Sequence, residues 1–98
     1  PKKPTFKSLK NISSRKLVVV WDNPDYDAER IQIQVATNKT FTKNVKNYYM
    51  DDSYPYTKTI SKLKKGTTYY VRVRSYVKIG ETNYYSAWTN YKYKKVTK

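Results

Sequence analysis

Between Arg30 and Ala36 apolar and polar residues alternate, with Ile31, Ile33 and Val35 separated by Gln32 and Gln34. A period of two puts the three apolar side chains on one face of an extended strand. The same alternation runs from Thr68 to Val77, where Tyr69, Val71, Val73 and Ser75 point one way and Tyr70, Arg72, Arg74 and Tyr76 the other. Lys16 to Trp21 is instead a short apolar run, stopped by Asp22-Asn23-Pro24-Asp25, a turn cluster that cannot continue a central strand.

Weaker patterns fill the intervals. Phe41 to Tyr49 carries Phe41, Val45 and Tyr49 among Lys and Asn, which predicts an edge strand whose lysines discourage pairing with another chain. Tyr56 to Ile60 predicts a short strand closed by Leu63-Lys64-Lys65-Gly66, with glycine supplying the permissive corner. Ile79 to Asn83 reads as a turn, Tyr84 to Val96 as a last strand, and Pro1 to Leu9 as an edge strand. Seven strands with no amphipathic helical stretch predict an all-β fold of two packed antiparallel sheets. The expected core is Leu17, Val19, Trp21, Ile31, Ile33, Val35, Phe41, Ile60, Leu63, Tyr69, Val71 and Val73.

Composition narrows the chemistry. Ninety-eight residues suit one domain, expected over 1–98 as a unit excised from a larger multidomain protein. There is no Cys and no His, so thiolate and imidazole metal sites and His-based catalytic pairs are excluded. No apolar run reaches the roughly 20 residues of a spanning helix. A net charge of +14 gives a positive field that attracts anionic partners, or a lysine surface that serves solubility.

Trp21 ending the second strand, the alternating third strand, and Leu63-x-x-Gly66-Thr67-x-Tyr69 followed by Val71 and Val73 together resemble a fibronectin type III domain. The resemblance covers almost the whole chain and implies an immunoglobulin-like β-sandwich with Trp21 in its core. It makes Tyr69 a tyrosine corner, its ring filling the end of the core and its hydroxyl bonding back to the corner's backbone. Residues 69–74 and 84–88 look like the versions found in bacterial, Gram-positive secreted or cell-surface proteins, which implies an extracellular setting. There is no Arg-Gly-Asp, and the turn at 78–83 carries Ile-Gly-Glu instead, which disfavours integrin binding.

Three groups of residues are candidates for function. Arg72 and Arg74 point outward, and the following strand is expected to bring Trp88 and Tyr85 beside them as a cation–π ladder. Tyr85-Ser86-Ala87-Trp88-Thr89 is similar to the Trp-Ser-x-Trp-Ser element of cytokine-receptor modules, with Tyr for the leading Trp and Thr for the closing Ser. The other reading of this face is a sugar platform of Trp88, Tyr70 and Tyr76. Threading the chain on the fold also gathers all seven acids, Asp22, Asp25, Asp27, Glu29, Asp51, Asp52 and Glu81, at one pole. Arg15, Lys16, Lys39, Lys43, Lys62, Lys64, Lys65, Lys94, Lys95 and Lys98 gather at the other. Such poles suit weak head-to-tail attraction between neighbouring domains, or reflect the polar chemistry of turns. The acidic loop 22–29 offers oxygen ligands for calcium but lacks EF-hand spacing, so ordinary turn chemistry is preferred and no metal or other cofactor is expected. Asn11-Ile12-Ser13 and Asn38-Lys39-Thr40 match the N-glycosylation pattern.

The expectation is a non-catalytic spacer, presentation and interaction module, monomeric in isolation, whose partners are neighbouring domains of its own chain. The alternative is a binding module for anionic wall polymers or glycans, using lysines with Tyr70, Trp88 and Tyr91. No specific nucleic-acid signature is present.

Overall fold

The computed structural model describes residues 1–23, 30–51 and 53–98, and among these it has eight strands and no helix. They are β1 (Thr5–Ser13), β2 (Lys16–Asp22), β3 (Arg30–Ala36), β4 (Lys46–Asp51), β5 (Thr57–Ile60), β6 (Thr68–Ile79), β7 (Thr82–Tyr85) and β8 (Lys92–Lys95). One sheet has the order β1-β2-β5, and the other has β4-β3-β6 with β7 and β8 both pairing β6. Every pairing is antiparallel, so the fold is the two-sheet antiparallel sandwich that the alternation predicts.

The sheets meet through the predicted apolar faces. Leu17, Val19 and Trp21 of β2 and Ile60 of β5 pack on Ile31, Ile33 and Val35 of β3 and Val71 and Val73 of β6, with Leu63 closing one end. Full burial of each aliphatic side chain contributes ~1.5–3 kcal/mol relative to exposure. Tyr69 packs against this cluster partly buried. Val96, expected only as the end of a strand, is fully buried in the core. Its carbonyl accepts from Gly66 N at 2.7 Å and its N–H donates to Thr67 O at 2.9 Å, which draws the C-terminal segment onto the corner before β6.

Two expected strands change. The edge strand begins at Lys46, not at Phe41, because residues 37–44 form a turn closed by Asn38. Asn38 Oδ1 accepts from Thr42 N and Lys43 N at 3.0 and 3.1 Å, and this short-range bonding competes with a strand ladder. Phe41, expected in the core, is buried but outside the core cluster; its φ of 55° aims it elsewhere. The final strand is interrupted between Tyr85 and Lys92, so β7 and β8 replace one element and the strand number is eight instead of seven. The first strand also runs later than expected, from Thr5 to Ser13, since it pairs with β2 across a turn in which Arg15 has φ 58°.

Strand direction separates two poles along the longest dimension of a body measuring 41 × 28 × 20 Å. Asp22, Asp51 and Glu81 lie at the pole where β2, β4 and β6 end, and the N-terminal segment is fixed toward it by Ser75 Oγ donating to Lys2 O at 2.7 Å. The connections carrying Arg15, Lys39, Lys43, Lys62, Lys64 and Lys65 occupy the other pole, where Asn11 Oδ1 accepts from Thr97 N and Lys98 N. Asp25, Asp27, Glu29, Asp52 and the calcium reading of loop 22–29 lie outside the described residues, apart from Asp22 and Asn23.

Candidate functional site

The outer face of the five-stranded sheet is built by the polar half of the alternation. Register sets Gln34 of β3 opposite Arg72 of β6 and Gln32 opposite Arg74. Arg72 Nε donates to Gln34 Oε1 and Arg74 Nε to Gln32 Oε1, each at 2.7 Å. The amides pass this on to β4, Gln32 Nε2 donating to Asn47 Oδ1 at 2.9 Å and Gln34 Nε2 to the same oxygen at 3.1 Å. Both guanidinium planes are therefore held by their edges with their faces free to stack, a geometry that lysine cannot reproduce.

The break in the last strand supplies the rings. Ser86 N donates to Ser75 O and Thr89 N to Val73 O, both at 2.9 Å. The hydroxyls complete the pairing in place of carbonyls: Ser75 N donates to Ser86 Oγ and Val73 N to Thr89 Oγ1, both at 3.0 Å. The intervening residues are thereby lifted off the sheet edge, and Trp88 lies between the two arginines. The guanidinium carbon of Arg72 is 4.3 Å from the Trp88 ring centroid and that of Arg74 is 4.2 Å away. Tyr85 lies 3.7 Å from Arg74, and Phe41 lies 4.2 Å from Arg72. The order is Phe41, Arg72, Trp88, Arg74, Tyr85, three rings interleaved with two cations.

The ring quadrupoles offset the repulsion between two charges two residues apart on one strand. Burial lowers the pKa of Arg72, and the charge of Arg74 lowers it further. Burial likewise lowers that of Arg74, opposed by the phenols of Tyr85 and Tyr49. Both remain cationic, since arginine does not lose its proton in proteins.

Tyrosines continue the covering at both ends. Tyr76 is buried on the outer face, with Tyr85 at 5.3 Å and Tyr49 at 6.2 Å between centroids. At the other end Tyr70 meets Tyr91 at 5.5 Å and Tyr93 at 5.6 Å. The structure thus places Arg72, Arg74, Trp88 and Tyr85 together, while Tyr70 and Tyr76 flank opposite ends of the stack and share no platform with Trp88. Tyr69 faces the other way, its Oη accepting from Lys64 N at 2.8 Å, and Trp21 is buried in the core with no hydrogen-bond partner for Nε1 among the described residues.

Phe41, Gln32, Gln34, Ser86 and Thr89 were not expected at this site. The glutamines were visible as the polar partners of β3, and the Ser86–Thr89 spacing was visible in the element similar to Trp-Ser-x-Trp-Ser. Phe41 carried no such signal. The sequons are likewise occupied: Asn11 is buried with its amide donating to Ser13 O and Lys16 O, and Asn38 Nδ2 donates to Thr40 and Thr42.

Chemically the face is a closed stack. Trp88 presents neither ring face to a sugar, and among the described residues no three of His, Cys, Asp and Glu converge as metal ligands. Among the described residues no helix is long and apolar enough to cross a membrane.

Comparison with known proteins agrees with this architecture. A solved structure described as a myokine is similar over 100% of this chain and 99% of its own, with TM-score 0.76 and 16% identity. A computer-redesigned β-sandwich protein is similar over 99% of this chain and 91% of its own, with TM-score 0.72 and 20% identity. No curated protein matches the sequence. The family model for the fibronectin type III domain matches residues 2–91, and the chain belongs to that family.

Proposed function

We propose that this domain is a non-catalytic spacer and presentation module of a secreted or cell-surface protein, holding neighbouring domains apart and in register. The observation that carries this reading is the anchoring of the two chain ends at opposite poles of a body 41 Å long. Ser75 fixes Lys2 near one pole, and Asn11 together with Arg15 N, which donates to Lys98 O at 2.7 Å, fixes the other. A chain attached at either end therefore leaves along the long axis. The enclosure of Trp88 supports the same reading, since the ring most suited to a glycan already stacks on its own arginines.

Small-angle scattering of two copies joined end to end by a short linker tests the geometry. The expected maximum dimension is close to twice that of one copy. A dimension near that of a single copy, with the two domains folded side by side, would refute the spacer reading.

A further inference from the structure

The basic pole holds a feature that a spacer does not require. Where the β3–β4 connection faces the corner between β5 and β6, a cleft of about 530 Å³ opens at the edge of the sandwich. Its apolar lining includes Val35, Leu63 and the rings of Tyr48 and Tyr69, and Lys46, Lys62 and Lys64 stand around it. No acid lines it, and none of the three lysines is paired with a carboxylate among the described residues. The described acidic side chains, Asp22, Asp51 and Glu81, are at the other pole.

The cleft also offers hydroxyl donors. Tyr48 makes no hydrogen bond through its hydroxyl among the described residues, and burial, then the neighbouring Tyr69, raises its pKa, which keeps the phenol protonated. Tyr69 Oη accepts from Lys64 N, which leaves its own proton to give. Lys62 has φ 60°, so the backbone in front of Leu63 is turned in a way unlike the adjoining strands. Low-dielectric walls beside like charges concentrate the field at such a site.

From this geometry we infer that the cleft between Lys46, Lys62 and Lys64 is a binding site for a phosphate or sulfate group carried on a sugar or polyol unit. The oxyanion meets the ammonium groups and the Tyr48 hydroxyl, and the carbon skeleton lies on the partly exposed phenol rings of Tyr48 and Tyr69, above the buried Val35 and Leu63. Phosphate-linked polyol polymers and sulfated glycans share this chemistry. The inference does not rest on the spacer reading, because it is argued from the lining of the cleft alone.

The test titrates the domain at 0.15 M salt with a heparin hexasaccharide, with poly(glycerol phosphate) and with neutral dextran, reading methyl NMR shifts of Val35 and Leu63. Saturable shifts at these two residues with one or both anionic probes, and none with dextran, are expected, and the responding probe identifies the source. The paired variant Lys46→Gln/Lys64→Gln is expected to bind about tenfold more weakly. Lys7→Gln/Lys78→Gln, with the same charge removed near the opposite end, is expected to change affinity by less than about twofold. Equal weakening in both variants, shifts spread over the surface, or no saturable shift with either anion would overturn the inference.

Discussion

Replacing Arg74 by lysine keeps the charge and removes the plane. Arg74 stacks on Tyr85 and Trp88 at 3.7 and 4.2 Å and donates from Nε to Gln32 at 2.7 Å. Each exposed cation–π contact contributes about 0.5–1 kcal/mol. The charge-assisted hydrogen bond contributes about 1.5–3 kcal/mol, and losing it is costly here because Gln32 is only 3% exposed and water cannot reach Oε1 freely. An ammonium recovers part of the Coulomb attraction but neither the stacking nor the edge-on donor, so we expect Arg74→Lys to cost about 2 kcal/mol. Arg72→Lys should cost about half of that, since its partner Gln34 is half-exposed and can be rehydrated. Urea unfolding followed by far-UV circular dichroism at 25 °C reads both; for Arg74→Lys a midpoint shift of about 1 M and a Tm loss of about 8–16 °C correspond to this magnitude. If both variants remain within about 0.5 kcal/mol of the parent, or if Arg72→Lys is the costlier, the stack is a surface arrangement without energetic weight and the reasoning fails.

Two further outcomes are expected. Asn11→Ala removes four hydrogen bonds, two that close the β1–β2 hairpin on Ser13 O and Lys16 O and two that tie it to Thr97 N and Lys98 N. It should lower stability by about 2 kcal/mol and raise amide exchange at Thr97 and Lys98; unchanged exchange there would show that the C-terminal segment is held by Val96 alone. Because the Tyr48 phenol titrates above its ordinary value in the folded domain, its stabilising contribution is present below about pH 10 and is lost as pH rises through the folded value. Urea midpoints from pH 8 to 11 should therefore fall more steeply for the parent than for Tyr48→Phe, and identical slopes would contradict the burial argument.

Much of the sandwich was legible because period-two patterning depends on each residue and its near neighbours. Ile31, Ile33 and Val35 had to share a face, as did Val71 and Val73, and burial of one face on another sheet follows from that alone. The Leu63–Tyr69 corner was legible for a similar reason, its residues lying within seven positions of one another. The candidate site was only half legible. Arg72 and Arg74 could be placed on the outer face of their strand, and Tyr85 and Trp88 on the next segment, since those positions follow from strand alternation and a short turn.

The remaining features depended on long-range geometry. Phe41 is apolar and lies near a Lys-rich segment, so it reads equally well as a core residue; the sign of one backbone angle sends it onto Arg72. Gln32 is a polar residue that alternation assigns to solvent, yet Arg74 and Tyr49 bond to it and it is nearly fully buried. The last strand is interrupted because the hydroxyls of Ser86 and Thr89, and not carbonyls, answer the N–H groups of Ser75 and Val73. Apolar periodicity is a local property and survives being read along one chain. The register of β3 on β6 and the exchange of a carbonyl for a hydroxyl are settled by partners 11 to 42 positions away, and they decided which side chains this domain shows to its surroundings.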